Sequence, residues 1–178
     1  GLLLAARQDH TMLGPIAQIV QHAGNVGEAL DRLSRYMPYH SPGLTLNIDR
    51  DGELAIVRMD HDLEMQDETR RHLTELVFGV ALTILRLLSR SGGADWRLEF
   101  QHDSPLPPAR YRRLLGCRVA LRQACDQLLL PAALLQVSVD SSNPALQEAA
   151  ERSVRRLMQR YPLDLGRQVS GVVERNLP

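Results

Sequence analysis

The sequence predicts an α+β fold: a small, mostly antiparallel sheet of two hairpins plus a strand, packed with several helices including a long central helix. Three observations support this prediction. Segments in which apolar and polar residues alternate are typical of half-buried strands, segments with apolar residues at helical spacing flank them, and turn residues join two pairs of strands. The spacing does not fit repeated βαβ units, so an antiparallel sheet is favoured.

Two helices are predicted near the start of the chain. Gly14-Pro15 opens the first, because proline is favoured in the first helical turn. Asn25 stands three residues before Glu28, and this capping-box pattern starts the second helix. Pro38 is expected to end the second helix, since proline interrupts the hydrogen-bond ladder.

A hairpin and a long helix follow. Residues 44–49 and 54–59 are predicted strands, and Asp51-Gly52 between them is a hairpin signal. A helix is predicted over residues 67–89, with acidic residues at its start and arginines at its end, and Gly92-Gly93 stops it. Its apolar stripe consists of Leu73, Leu76, Val77, Val80, Ala81, Ile84 and Leu88. We expect this to be the central core helix.

The next part of the sequence predicts a strand, a short helix and a second hairpin. Residues 96–102 alternate as an amphipathic strand, and a short helix is predicted through residues 111–115. Residues 117–122 alternate again. Residues 128–130 are predicted to be their hairpin partner, across a turn near Asp126.

The last part of the chain is predicted to be helical. Residues 141–144 cap a helix that runs to about Arg160, and Tyr161-Pro162 ends it. Residues 165–177 carry apolar side chains at helical spacing and predict a final helix. The length of 178 residues fits one domain with an appendage.

The charge balance excludes one simple function. The chain has 21 arginines, no lysine, and 21 aspartates plus glutamates, so its formal charge is zero. A protein that binds nucleic acid on its own normally carries a basic excess, because it must neutralise phosphates. The sequence therefore gives no sign of a solitary nucleic-acid binder.

The cysteines and the apolar segments indicate a cytoplasmic protein. Two cysteines make no disulfide framework, which favours a reducing compartment. The apolar run at residues 1–7 is too short for a signal peptide, and the run at 76–88 is shorter than the roughly 20 residues of a membrane span. Cys117 alternates with the apolar side chains of a strand and is predicted to be a buried, inert thiol, whereas Cys125 lies in the predicted turn.

Sequence motifs give no positive evidence of an enzyme. The chain contains no nucleophile elbow, no phosphate-binding loop and no dinucleotide-binding glycine motif. No two histidines stand four residues apart on a predicted helix, and none neighbours a cysteine. We therefore predict no catalytic residue, metal or cofactor.

Five amphipathic side chains are candidates for a ligand pocket. His102 shares a strand face with apolar residues and is expected to point inward, where an imidazole needs a hydrogen-bond partner from the backbone or from a ligand. Tyr36, His40, Trp96 and Tyr111 are the other candidates, since each offers both apolar surface and a polar atom. The alternative is that each belongs to the core or its rim.

Taken together, the motifs resemble the effector domain of AraC-type transcriptional regulators, in the arabinose-binding-like or ornithine-utilisation-regulator-like branch. The residues that carry the resemblance are Leu13-Gly14, Gly27-Glu28-Ala29-Leu30, Leu33-x-Arg35-Tyr36, Ser41-Pro42, Phe100-x-His102, Pro105, Tyr111, Gly116-Cys117-x-Val119, Leu128-x-Leu130-Pro131 and Leu134. The family pattern has Phe and Pro where this chain has Leu115 and Arg118. The match covers nearly the whole chain.

The resemblance implies a sensor domain of a bacterial transcription factor. Residues 1–163 would be the effector-binding domain, lacking a helical segment that usually precedes it. Residues 164–178 would be a linker helix to an absent C-terminal helix-turn-helix domain, through which the protein binds DNA. The implied partners are a small-molecule effector, a second copy in a homodimer and RNA polymerase, with no membrane.

Two other functions stay open at this level. One is a dimerisation module without a ligand pocket, and the other is a small cofactor-binding sensor or enzyme domain. The aliphatic composition, with 31 leucines, mildly favours an apolar or amphipathic effector, although a leucine-rich core would look the same.

Overall fold

The α+β class is confirmed by a computed structural model, which describes residues 1–5, 7–8, 13–62, 64–104 and 106–160. These residues form six α-helices, one 3₁₀ helix and one five-stranded sheet. The predicted helix at 165–177 and the motif residue Pro105 lie outside the described residues.

Three helices come first in the described part of the chain, and strands and helices are mixed after them. The helices are α1 (Leu2–Ala5), α2 (Pro15–Gln21), α3 (Val26–His40), α4 (Asp67–Ser89), α5 (Pro108–Leu115) and α6 (Pro144–Arg160), with the 3₁₀ helix at Ala132–Gln136. The strands are β1 (Leu44–Asp51), β2 (Leu54–His61), β3 (Arg97–Glu99), β4 (Arg118–Ala120) and β5 (Gln127–Pro131).

The first hairpin has the predicted turn. Asp51 pairs with Leu54, so Gly52 and Glu53 form a two-residue loop between β1 and β2. Gly52 has a φ of +56°, a value that glycine adopts without strain. The turn therefore fixes the register that places Leu46 opposite Met59.

The predicted second hairpin is wrong. The order of strands is β1-β2-β5-β3-β4, so β5 lies between β2 and β3 instead of beside β4. Leu128 and Leu130 of β5 are fully buried, which favours a central position with a strand on each side. β4 pairs in parallel with β3, and α5 is the crossover between them, so this part of the sheet is the βαβ connection that the sequence spacing did not suggest.

The helix α3 starts as predicted and ends later than predicted. The Asn25 side chain accepts a hydrogen bond from the Glu28 amide at 2.8 Å. Pro38 lies inside the helix, which continues to His40. The missing amide of Pro38 falls in the last turn, where it costs one hydrogen bond and leaves Ser41 free to close the helix onto the Met37 carbonyl at 2.9 Å.

The sheet has one apolar face and one polar face. Leu46 pairs with Met59, and Val57 pairs with Leu128, so these four buried side chains share one face of the sheet. The opposite face carries a polar ladder in which Arg58 contacts Asp49 at 2.5 Å and Gln127 at 3.2 Å. The core that includes α3 and α4 lies on the apolar face.

The long helix α4 has the predicted bounds but ends differently. Arg90, and not a glycine, adopts the left-handed conformation after it, with a φ of 53°. The small α1 packs on α4 at Gly79, where an added Cβ would lie 2.4 Å from the Cβ of Ala5. Among the described helices α4 is the one long and apolar enough to cross a membrane, but half of that stretch is buried inside the protein, as in a core helix.

The helix α6 is tied to α3 by charged side chains. Asn143 caps α6 by accepting from the Leu146 amide at 3.2 Å, as predicted for this segment. Glu151, which is 6% exposed, is paired with Arg32 of α3 and, within α6, with Arg155. Polar pairing thus fixes one side of α6, while its apolar residues face α2 and the end of α3.

Candidate functional site

An apolar cavity of about 170 Å³ lies between α3, β1 and α4. We call it the inner cavity. Its walls are Leu13, Leu33, Met37, His40, Ser41, Leu44, Leu46, Leu73, Leu76, Val77, Val80, Ala81 and Ile84. Apart from His40 and Ser41 these side chains are aliphatic or thioether, so the cavity can hold an apolar group by dispersion and hydrophobic contact.

The helix α4 is apolar on two sides, one of which packs in the core while the other lines the inner cavity. Phe78, Leu82 and Leu85 form the most buried side and belong to the core. The stripe predicted from the sequence contains Leu76 and Val77, which are only partly buried because they line the cavity instead of filling the core. α4 is therefore a core helix, as predicted, and its stripe has two roles. Val80, Ile84 and Leu88 belong to the core, whereas Leu76 and Val77 are partly buried at the cavity wall.

The sequence candidate His40 lies at one end of the inner cavity. It is the last residue of α3, and the adjacent Ser41 also lines the cavity. Partial burial lowers the pKa of His40, because the charged imidazolium is less well solvated there. A neutral imidazole can donate or accept one hydrogen bond at the boundary between the cavity and solvent.

Two other candidates, His102 and Tyr111, meet around a buried carboxylate. The Tyr111 hydroxyl donates a hydrogen bond to Glu75 of α4, and Glu75 is 3% exposed. The His102 Nε2 atom lies 4.0 Å from Glu75 Oε1, and the imidazole stacks on Phe100 at a centroid distance of 4.7 Å. Burial and the hydrogen bond to Glu75 together raise the pKa of Tyr111 to about 12.

Only one ring nitrogen of His102 has a hydrogen-bond partner in this cluster. Its Nδ1 atom lies 3.1 Å from the backbone oxygen of Asp103, the kind of partner expected for an inward-pointing histidine. Its Nε2 atom is buried and has no hydrogen-bond partner among the described residues. The nearest carboxylate oxygen is that of Glu75, whose other oxygen lies 3.6 Å from both His72 Nδ1 and the nitrogen of Gly1.

A polar groove of about 360 Å³ opens beside His102. It is lined by Asp67, Glu68, Arg70, Arg71, Thr74, Gln101, His102, Asp103 and Asp126. Several of these groups already bind one another or neighbouring residues. Asp103 pairs with Arg122 at 2.5 Å, and Asp126 accepts from the Gln101 amide at 2.9 Å. The inner cavity is therefore the better candidate site, because its walls have unfilled apolar surface.

The remaining candidates lie elsewhere. Tyr36 is buried on α3 beside Arg155 of α6, whose pKa it raises. Trp96 is fully buried next to Gly93, with the Arg86 guanidinium 5.6 Å from its ring centroid. The Trp96 indole nitrogen has no hydrogen-bond partner in the part of the chain that the structure describes. The structure thus brings together two of the five candidates and places one at the inner cavity.

Sequence reasoning missed Glu75. The available signal was a carboxylate inside an apolar helical segment, three residues after His72. Among the described residues, no group of three or more His, Cys, Asp and Glu side chains is arranged to hold a metal ion. The thiol of Cys117 is buried as predicted, and burial raises its pKa to about 11.

The sequence matches a model of the arabinose-binding domain of AraC transcription regulators, N-terminal, over residues 1–139. It is 28% identical over 181 residues to the HTH-type transcriptional regulator VirS, in two strains of Mycobacterium tuberculosis. That alignment covers 100% of this chain and 53% of VirS. The chain therefore spans about half the length of the curated relatives it matches.

A solved structure has the same fold. The transcriptional regulator CdpR from Pseudomonas aeruginosa superposes with a TM-score of 0.73 at 20% sequence identity. The superposition covers 84% of this chain and 48% of CdpR. At this identity the likeness supports a shared fold and carries no information about ligands.

Proposed function

The chain belongs to the family of N-terminal arabinose-binding domains of AraC transcription regulators, and on this premise we propose that it is the effector-sensing domain of such a regulator. A small apolar or amphipathic molecule binds in the inner cavity. Binding then changes how a helix-turn-helix domain, outside these 178 residues, engages DNA. The regulator works in the bacterial cytoplasm, where its DNA is.

The observation that carries the proposal is the inner cavity itself. The inner cavity is partly open to solvent, so its aliphatic walls leave apolar surface in contact with water. Leu76 and Val77 stay partly buried at this wall, although the same helix buries Phe78 completely. A ligand that fills the cavity supplies the missing contacts, so ligand binding and stability are linked.

The zero net charge agrees with a protein in which this domain binds the effector and another domain binds DNA. A neutral sensor domain contributes little to phosphate binding, so the cationic contacts with DNA belong to the helix-turn-helix part of the protein. The effector acts by favouring one arrangement of the regulator over another, which requires unequal affinity for the two arrangements. We include in the proposal a homodimeric regulator that acts together with RNA polymerase.

A dimerisation module without a pocket is the weaker alternative. Such a module needs only a closed core and a surface for its partner. The inner cavity, by contrast, places unfilled apolar volume between three elements of the same domain.

The test fills the cavity by mutation. Ala81→Leu and Ala81→Phe place increasing volume in the inner cavity, and Leu87→Phe enlarges an exposed residue of the same helix as a matched control. Calorimetric titration of the full-length regulator with n-octanol should show binding in the wild type and in Leu87→Phe. Binding should weaken in Ala81→Leu and disappear in Ala81→Phe, because the added atoms occupy the site.

A second measurement joins binding to function. Native mass spectrometry of the regulator purified from its own host identifies a retained molecule, and operator affinity is then measured with and without it. We expect a change of at least several fold in operator affinity, in line with typical coupling energies of about 1–3 kcal/mol. Equal octanol binding by all variants, or a retained molecule that leaves operator affinity unchanged, contradicts the proposal.

A further inference from the structure

A second apolar groove lies next to the inner cavity. We call it the outer groove. It has a volume of about 330 Å³ and is lined by Leu13, Pro15, Ile16, Tyr39, His40, Val154, Leu157 and Met158. These residues come from α2, the end of α3 and the last turns of α6. Its walls are mainly apolar, in contrast to the polar groove beside His102.

The inner cavity and the outer groove share two residues. Leu13 and His40 line both, so they stand at the junction between the two spaces. On the far side of the inner cavity is the wall of α4 with Leu76 and Val77, and on the far side of the outer groove are Leu157 and Met158 of α6. The two apolar spaces therefore adjoin at Leu13 and His40, one against the central helix and the other against the last described helix.

The two spaces together have the volume of a typical ligand site. Typical ligand sites have roughly 300–1,000 Å³, and the inner cavity alone falls below that range. With the outer groove added, the combined volume lies well within it. We propose that one elongated ligand with an unbranched apolar chain occupies both, passing between Leu13 and His40 to reach Leu157 and Met158. This inference rests on the proposed function and specifies its ligand class.

The exposure of the groove residues supports this occupant. Tyr39 is 40% exposed and Leu157 is 46% exposed, although each lies beside buried apolar neighbours such as Ile16 and Val154. A ligand chain in the groove removes this surface from water, and the hydrophobic gain is proportional to the area removed. A neutral imidazole at the junction suits the passage of an apolar chain, since a charged one would have to be desolvated.

The arrangement also gives the ligand contact with α6. Glu151 holds one side of this helix to α3 through Arg32, and the outer groove lies on another side, at Val154 and Leu157. A long ligand that bridges α4 and α6 therefore stabilises the end of α6, whereas a short one confined to the inner cavity does not touch it.

The experiment is a series of primary n-alcohols from hexanol to decanol, titrated into the full-length regulator by calorimetry. Burial of each added methylene should tighten binding by about fourfold. In the wild type, affinity should keep rising with chain length even for alcohols that are too long to fit in the inner cavity alone. In Leu157→Glu the gain should stop at that length, because a carboxylate then lies in the outer groove, while the shortest alcohols bind as in the wild type.

Leu146→Glu is the matched control. Leu146 is 50% exposed on the same helix, and it lies outside both apolar spaces, so the same change of charge should leave the whole series unaltered. Hydrogen exchange gives a second measurement. The amides of residues 154–158 should exchange more slowly with decanol bound and should be unaffected by hexanol.

The possible outcomes separate this inference from the proposed function. If short alcohols bind and Ala81→Phe abolishes their binding, but affinity stops rising with length in the wild type, the inner cavity stands and the bridging ligand is refuted. Equal effects of Leu157→Glu and Leu146→Glu refute it as well. If no alcohol of any length binds, the inner cavity is not a ligand site, and both the proposed function and this inference are refuted.

Discussion

The hydroxyl of Tyr111 donates a hydrogen bond to the carboxylate of Glu75, and both side chains are buried. The bond joins α5 to α4, on the side of α4 that belongs to the core. The residues that follow Glu75 on the helix, Leu76 and Val77, line the inner cavity. A single polar contact therefore helps to hold the helix that forms one wall of the proposed ligand site.

Tyr111→Phe should lower the free energy of unfolding by about 1.5–3 kcal/mol, the range for a hydrogen bond to a charged group. The phenyl ring keeps the packing against Phe100, so the loss reports the hydrogen bond. Urea unfolding followed by circular dichroism measures it. Tyr39→Phe is the control, because Tyr39 is 40% exposed, and a surface change of this kind alters stability by less than about 0.5 kcal/mol.

A double-mutant cycle with Glu75→Gln separates the bond from other effects of the substitutions. The amide of glutamine still accepts a hydrogen bond but carries no charge, so Tyr111→Phe should cost less in that background. Equal losses in both backgrounds would mean that the carboxylate does not strengthen the bond.

The Glu75 cluster could not be predicted from the sequence because α4 is apolar around most of its circumference. Helical spacing identified the stripe with Leu76 and Val77, and the structure shows that this stripe lines a cavity. The side that the sheet and α5 bury includes Glu75 and Phe78, and which side is buried depends on packing partners distant in the chain. Periodicity locates apolar faces but does not say what covers them.

Sequence patterns predicted correctly the features that depend on residues close together in the chain. The Asn25 cap and the turn at Gly52 each depend on residues within three positions, and both form as predicted. The insertion of β5 between β2 and β3 is a non-local choice, made by the burial of Leu128 and Leu130. The extension of α3 past Pro38 has a different cause: the proline costs only its own amide hydrogen bond, and the Ser41 amide still bonds to the Met37 carbonyl.

The two cysteines should differ sharply in reactivity. Burial raises the pKa of Cys117 to about 11, so its thiol is protonated at about pH 8, and the thiolate is the reactive form. Cys125 is partly exposed. Ellman's reagent should therefore modify one thiol in the native protein and the second only after unfolding in urea. Cys125→Ser should remove the native reaction, and a native reaction that persists in this variant would contradict the burial of Cys117.

Gly79→Ala should loosen α1 from α4. The new Cβ would lie 2.4 Å from the Cβ of Ala5, a separation that the two helices must relieve by moving apart. Overpacking of this kind costs about 1–3 kcal/mol, against a gain of up to about 1 kcal/mol in helix propensity. We expect a net loss in the free energy of unfolding, with faster amide exchange in Leu2–Ala5.

Gly92→Ala is the matched control for this substitution. A Cβ at Gly92 would meet nothing within 4 Å, so stability should be unchanged or slightly raised. If Gly79→Ala were as stable as Gly92→Ala and exchange in α1 did not change, the close approach of the two helices would be contradicted.

Glu28→Gln should remove part of the acid sensitivity of the fold. Glu28 accepts hydrogen bonds from the Gly24 amide at 2.8 Å and from Arg32 at 3.1 Å, and the first of these is the main cause that lowers its pKa below 4.5. A carboxyl with a depressed folded pKa stabilises the protein above its unfolded pKa, and this contribution is lost as the pH falls through the folded value. The variant should therefore be less stable than the wild type near pH 7, and this difference should vanish in acid, once the pH lies below the folded pKa of Glu28.

Urea unfolding at several pH values between these limits measures the difference, with Glu53→Gln as the control. Glu53 is exposed in the turn between β1 and β2, and its side chain makes no ion pair among the described residues. Its substitution should leave the slope of stability against pH close to that of the wild type. A Glu28→Gln protein that loses stability with acid as steeply as the wild type would show that the capped start of α3 does not depend on the charge of Glu28. In that case the hydrogen bond from Gly24, which a neutral amide oxygen can also accept, would be sufficient to hold the first turn of the helix.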